Sequence, residues 1–217
     1  MGKKVNPIAF RTGYIFPTKS VWFANFHSYA KFVLEDNKIR RFLENKLKLA
    51  GITSIEIKRS INSVDIYMNV SRPGVVIGRG GSSLEILKKD LEKLLRIDPK
   101  AKNAVKINLH PLEIKNPDTN ASIIADRLIG QLEHRYPFRR AANQAIEKVM
   151  AAGAKGVKLV FAGRIDGAEI ARTEKFKQGR IPTQTLRANI DYIEKKALTR
   201  SGYVGIKVWI YTGDIIS

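Results

Sequence analysis

Between Ile55 and His110 the apolar period changes twice, and a glycine-rich quartet stands at the first change. Ile55 and Ile57 alternate with Glu56 and Lys58, and Val64, Ile66, Met68 and Val70 alternate with Asp65, Tyr67 and Asn69. A period of two leaves one face for a core and one for water, so both runs predict half-buried strands, turning at residues 60–63. Leu84, Leu87, Leu91 and Leu94 then return every three or four residues, which predicts one apolar helix stripe. Ser82 and Glu85 have the spacing of a capping box at its start, and Pro99 closes it. Val105, Ile107 and Leu109 resume the alternation as a third strand. One-sided strands and a one-sided helix must bury their apolar faces on each other, which makes this segment a helix-on-sheet layer.

The quartet between the second strand and the helix is Gly78-Arg79-Gly80-Gly81, after a short apolar turn at residues 74–77. Glycines at both ends allow backbone angles that a side chain blocks, and they allow a phosphodiester backbone to come close. The free N–H groups of a helix start face the same anion, and Arg79 adds a formal charge. The quartet is not a P-loop, because no Gly-Lys-Ser/Thr follows, and not a dinucleotide fingerprint, because Ser83 stands in the place of the third glycine. Upstream, Phe32, Ile39, Phe42, Leu43, Leu47 and Ala50 predict a helix over about residues 28–50, with a break at Asp36-Asn37 and Gly51 as its C-terminal cap. The order helix, strand, strand, short helix, G-x-x-G, helix, strand is that of a type II K-homology (KH) domain, whose loop clamps about four backbone nucleotides.

Charge points to the same partner. The chain carries 39 lysines and arginines against 20 aspartates and glutamates, a net charge of +19 spread over both halves. Solubility needs a magnitude of only about 2–8 in a small domain. The excess repels itself in the folded state and is offset by a polyanion, with nucleic acid first and an anionic membrane surface second. No cysteine is present, which excludes disulfides, thiolate catalysis and Cys-ligated zinc. His27, His110 and His134 lie far apart, and no apolar stretch reaches the length of a membrane span. No metal and no cofactor is expected. Residues 1–26 form a basic N-terminal arm with Lys3, Lys4, Arg11 and Lys19, punctuated by prolines and glycine. It has no periodic apolar face, so both domains are expected to fold without it.

Two prolines in residues 111–117 mark a boundary. Ile124, Leu128 and Leu132 predict one helix, capped by Asp118, and Pro137 starts a second that ends at Gly153. Strands are predicted at 157–161, 168–176, 186–192 and 204–211, with a hairpin turn at 163–167. Arg164, Arg172, Arg187, Lys175 and Lys177 place cations on these strands and turns, where they suit phosphate contacts. Trp209 and Tyr211 face away from Val208 and Ile210, and packing on a covered sheet is weighed above base stacking for them.

Several strings carry a family resemblance: W-F-A-N at 22–25, P-G-V-V-I-G at 73–78, F-R-R-A at 138–141, A-G-A-K-G-V-K at 152–158, G-R-I-P at 179–182, L-R-A-N-I-D-Y at 186–192 and G-I-K-V-W-I at 205–210. The chain resembles the family of bacterial small-subunit ribosomal protein three over nearly all its 217 residues. The resemblance implies an α+β protein: the arm at 1–26, a type II KH domain at 27–112, and a C-terminal domain at 113–217 with two helices on a four-stranded sheet. It implies a cytoplasmic, ribosome-bound structural constituent that binds ribosomal RNA of the subunit head and is not an enzyme. It also implies contact with messenger RNA where the message enters, at the helix start bearing Arg139 and Arg140, which helps to part messenger structure. The family often has a third basic residue where this chain has Asn143, and a doubly basic loop centre where it has Arg79-Gly80. The implied neighbours are the head proteins ten and fourteen and the channel proteins four and five. Two other classes stay open: a nuclease or lyase, against which the acidic residues form no D-x-D pair, and a free KH-containing assembly or transcription factor.

Overall fold

The computed structural model describes residues 4–95 and 105–215, which form two compact units. One is Thr18–Lys115. The other joins Asn116–Ser217 to the N-terminal residues up to Pro17. The stretch read as one arm therefore divides after Pro17.

The segment before that division holds a short helix, α1 (Pro7–Arg11), capped by the Asn6 side chain, which accepts from the Ile8 amide at 2.9 Å. Arg11 is wholly buried. Its guanidinium donates to the carbonyls of Pro7 (2.9 Å), Thr183 (2.9 Å) and Thr185 (2.8 Å), so it is a pin between α1 and the C-terminal unit and not a surface cation. This corrects its place among the RNA-binding candidates. Hydrogen bonds to a charged group contribute about 1.5–3 kcal/mol, and orphaned buried carbonyls cost more. Arg11→Ala should destabilise the C-terminal unit by about 2–3 kcal/mol in denaturant unfolding, while exposed Lys4→Ala leaves it unchanged. Deleting residues 2–17 should reproduce the Arg11 loss, contrary to the expectation of a dispensable arm.

The KH unit begins with β1 (Ser20–Val21), two residues long and carrying no periodicity to read. Helix α2 (Phe26–Lys46) is continuous where a break at Asp36-Asn37 was expected. Asp36 is buried, and its carboxylate accepts from the Ser20 hydroxyl (2.9 Å), the Trp22 indole N–H (2.8 Å) and the Arg59 guanidinium (2.9 and 2.6 Å). A carboxylate so engaged does not compete for the helix backbone. A 3-10 turn, Lys48–Ala50, follows and ends at Gly51 (φ +66°), where a Cβ would collide with the Ser71 Oγ.

Strands β2 (Ile52–Arg59) and β3 (Ser63–Val70) pair antiparallel. Short α3 (Pro73–Ile77) and α4 (Ser82–Leu95) lead to β4 (Lys106–Glu113), parallel to β3, giving the sheet order β1-β2-β3-β4. Ile39, Leu43, Ile57, Ile66, Leu87, Leu91 and Ile107 meet in its core. Two expectations at α4 change. Ser82 has helical angles (φ −58°, ψ −38°), so it lies inside the helical run rather than at a capping box. Leu95, four residues beyond Leu91, packs at the core edge, and Leu94 is exposed. Closure by Pro99 falls outside the described residues. β4 continues through Pro111, which an edge strand tolerates.

In the C-terminal unit, α5 (Ala121–Glu133) and α6 (Phe138–Ala151) cover one face of an antiparallel sheet of order β6-β5-β8-β7. Its strands are β5 (Gly156–Gly163), β6 (Arg172–Gly179), β7 (Ala188–Thr199) and β8 (Gly202–Asp214). Asn120, not Asp118, caps α5, accepting from the Ser122 amide at 3.0 Å; Asp118 pairs instead with Arg127 at 2.9 Å. Pro137 is the N-cap of α6. The hairpin of β7 and β8 runs well past the predicted 186–192 and 204–211. Glu194, Lys195 and Lys196 hide it, yet Lys195 reaches Asp126 at 2.6 Å and the Ser122 hydroxyl at 2.9 Å. β6 starts at Arg172 and not at 168, because a 3-10 turn and loop occupy residues 165–171.

Among the described residues, no helix is long and apolar enough to cross a membrane, and no group of three or more acidic, histidine or cysteine side chains could hold a metal ion.

Candidate nucleic-acid interface

The glycine quartet sits between α3 and α4. Gly78 holds φ +72°, and a Cβ there would lie 2.6 Å from the Ser83 Cβ, so this position needs glycine for the fold itself. Gly80 (φ +58°) and Gly81 (φ +81°) are also left-handed, with open space where a side chain would stand. The loop is thus a bare backbone surface at a helix start, with exposed Arg79 beside it. That geometry suits a phosphodiester.

On the C-terminal unit, Arg139 and Arg140 occupy the first turn of α6, Asn143 lies one turn on, and all three are exposed. They share a shallow groove with Tyr136, Gln144 and Glu147. The Arg139 guanidinium stands 5.7 Å from the Phe138 ring centroid, and that of Arg172, from β6, stands 5.9 Å from the same ring. The structure therefore gathers Arg139 and Arg172 around one aromatic side chain.

The sheet face opposite the helices is a further surface. Register places Lys177, Lys158, Trp209 and Tyr192 in one row across β6, β5, β8 and β7. The Lys158 ammonium lies 4.8 Å from the Trp209 ring, and Tyr192 and Trp209 are 4.9 Å apart. The next row is Lys175, Val160, Lys207 and Glu194, where Lys207 and Glu194 pair at 3.3 Å. Burial, and then the charges of Lys4, Lys175 and Lys177, lower the Lys158 pKa below the usual lysine value. Crowding of this kind favours an anionic partner that supplies the missing countercharge. Lys4, Lys175 and Lys177 thus converge, and they gain Lys158 and Tyr192, which the sequence did not single out, and Trp209, for which packing was weighed above stacking. Tyr211, on the same face, is buried with Ala188 and Ile190, and half-buried Trp209 packs against them, as expected of packed residues.

The remaining candidates are dispersed. Arg164 is exposed at the turn after β5, its Nε donating to the Ala168 carbonyl at 2.9 Å. Arg187 pairs with Asp214 at 3.3 Å and Arg172 with Glu174 at 3.4 Å, so part of their charge is balanced. Lys19 is exposed on the other unit, and Lys3 lies outside the described residues.

Comparison with known proteins agrees with both units. Residues 38–119 match the KH domain model, and residues 128–210 match the model described as ribosomal protein S3, C-terminal domain. Small ribosomal subunit protein uS3 of Clostridium acetobutylicum is 47% identical over 216 residues, covering 100% of this chain and 94% of that protein. The uS3 of Caldicellulosiruptor bescii is 48% identical over the same shares. The uS3c of Guillardia theta is 44% identical, over 99% of this chain and 96% of that one. The KH loop, the two-helix, four-stranded second unit and full-length identity at this level place the chain in the uS3 family of small ribosomal subunit proteins.

Proposed function

We propose that ribosomal RNA of the small-subunit head lies across the open sheet face and against the loop at residues 78–81, while Arg139 and Arg140 meet messenger RNA where it enters. As a uS3 family member the chain is a structural, RNA-binding constituent of the ribosome and not an enzyme. Head proteins ten and fourteen and channel proteins four and five belong to the same proposal as neighbours, as does a cytoplasmic location. The observation that carries it is the row of Lys177, Lys158, Trp209 and Tyr192, which joins phosphate-binding cations to flat rings on one open face. Phosphate contacts fix position and aromatic faces stack bases without demanding a sequence.

The test is a salt titration of RNA binding by the isolated protein. Each neutralised single-strand phosphate adds about 0.7 to the slope of log K against log salt. Lys175→Ala with Lys177→Ala should therefore lower the slope by about 1.4. An unchanged slope would remove the sheet face from the interface.

A further inference from the structure

A cavity of about 670 Å³ opens where three turns of the C-terminal unit meet: the α5–α6 turn, the turn after β5, and the β7–β8 hairpin turn. Its volume falls within the roughly 300–1,000 Å³ of small-molecule sites. Half-buried Tyr136 and exposed Pro137 form an apolar wall. Exposed Arg135, Arg164 and Arg200 come one from each turn. Two acids also line it. Glu133 accepts from the Leu198 amide at 3.4 Å, while Asp166 is exposed.

A second observation concerns the backbone. Arg135 (φ +59°) and Asp166 (φ +54°) are the non-glycine residues with positive φ among those described, and both line this cavity. Helix α5 ends with the His134 amide bonded to the Gly130 carbonyl (3.1 Å) and the Tyr136 amide bonded to the Gln131 carbonyl (2.9 Å). Arg135 therefore occupies the left-handed position after the helix, which glycine usually takes. Asp166 takes a comparable angle inside its 3-10 turn. Both angles turn the chain so that the Arg135 and Asp166 side chains line the cavity.

We propose that this cavity binds one nucleotide unit, with its base against Tyr136 and Pro137 and its phosphate among Arg135, Arg164 and Arg200. The Asp166 carboxylate accepts from ribose hydroxyls or base N–H groups. A simple anion has no use for the apolar wall, and an apolar ligand has none for three guanidiniums. A nucleotide has both ends. The unit comes either from single-stranded RNA or from a free nucleotide. The inference rests on the RNA-binding reading above and adds a site to it: the cavity shares no residue with the sheet face or the KH loop, and only Tyr136 with the groove of Arg139 and Arg140.

The experiment is an NMR titration of the full chain with guanosine and adenosine monophosphates, with ribose 5-phosphate and guanosine as controls. Saturable shifts confined to residues 133–137, 164–167 and 199–201 are expected, with each control at least tenfold weaker. Arg135→Gly removes a guanidinium and relieves the backbone at once. It should weaken nucleotide binding at least tenfold while leaving the unfolding midpoint unchanged or raising it by up to about 4 °C. The Lys175→Ala, Lys177→Ala chain should bind the mononucleotide as the parent does, which separates this cavity from the sheet-face reading. A single-stranded oligoribonucleotide that shifts the same residues at least tenfold more tightly assigns the site to RNA; a mononucleotide that binds as tightly assigns it to free nucleotide. The proposal is overturned if no saturable shift appears at those residues, if ribose 5-phosphate binds equally well, or if Arg135→Gly retains full affinity or lowers the midpoint.

Discussion

Replacing Arg139 and Arg140 together by alanine will slow translation through a stable messenger hairpin and leave an unstructured message and subunit assembly nearly unaffected. Both side chains are exposed in the first turn of α6, and the one contact to the core that is lost is that of Arg139 with the Phe138 ring at 5.7 Å. Alanine raises helix propensity there and removes two cations from the positive end of the helix dipole. If each exposed phosphate contact contributes about 0.5–1 kcal/mol, the pair accounts for roughly a 5–30-fold change in hold on the strand, and less at high salt. Asn143→Lys in the double mutant restores one cation in the same groove. Glu147 shares that groove one turn further on, so the recovery should be partial. Slowing independent of the hairpin contradicts the messenger reading. A double mutant that fails to assemble makes the arginines ribosomal RNA anchors instead.

The second large effect is on stability. Asp36→Ala should cost the KH unit about 2–4 kcal/mol, since several partly buried donors lose their shared acceptor at once. It leaves the Arg59 guanidinium, whose side chain is only 9% exposed, with Glu35 at 2.8 Å as its remaining carboxylate, and leaves the Trp22 indole and the Ser20 hydroxyl without their acceptor. The same residues hold a ring cluster, with Trp22 5.2 Å from Tyr29 and 5.6 Å from Phe32, and Arg59 4.8 Å from the Phe32 ring. The two tryptophans fall one in each unit, so a Trp209→Phe background reports the KH unit through Trp22 alone. The Trp22 transition should shift to much lower denaturant. A shift below about 1 kcal/mol would mean that solvent replaces these bonds freely.

Asp36 also shows what a sequence conceals. Read locally, Asp-Asn inside a helical stretch predicts a break; only partners at Ser20, Trp22 and Arg59 explain a continuous helix. Arg11 is a parallel case, since nothing near it in sequence announces carbonyls at Thr183 and Thr185. Features carried by local period were legible. The core faces of β2 and β3, most of the α4 stripe and the glycine quartet follow from spacing and chemistry within a few residues. The long β7–β8 hairpin was half legible, because its charged stretch finds neutralising partners on α5. The row across the sheet face was not legible at all. It is a product of register, which sets Lys158 beside Trp209 although 50 positions separate them in the chain.

The most direct measurement is a density map of the small ribosomal subunit containing this chain. RNA phosphates should lie within hydrogen-bonding distance of the loop at residues 78–81 and of Lys158, Lys175 or Lys177, with Arg139 and Arg140 facing the path of the messenger. A subunit in which the loop and the open sheet face both meet solvent or only protein would contradict the account.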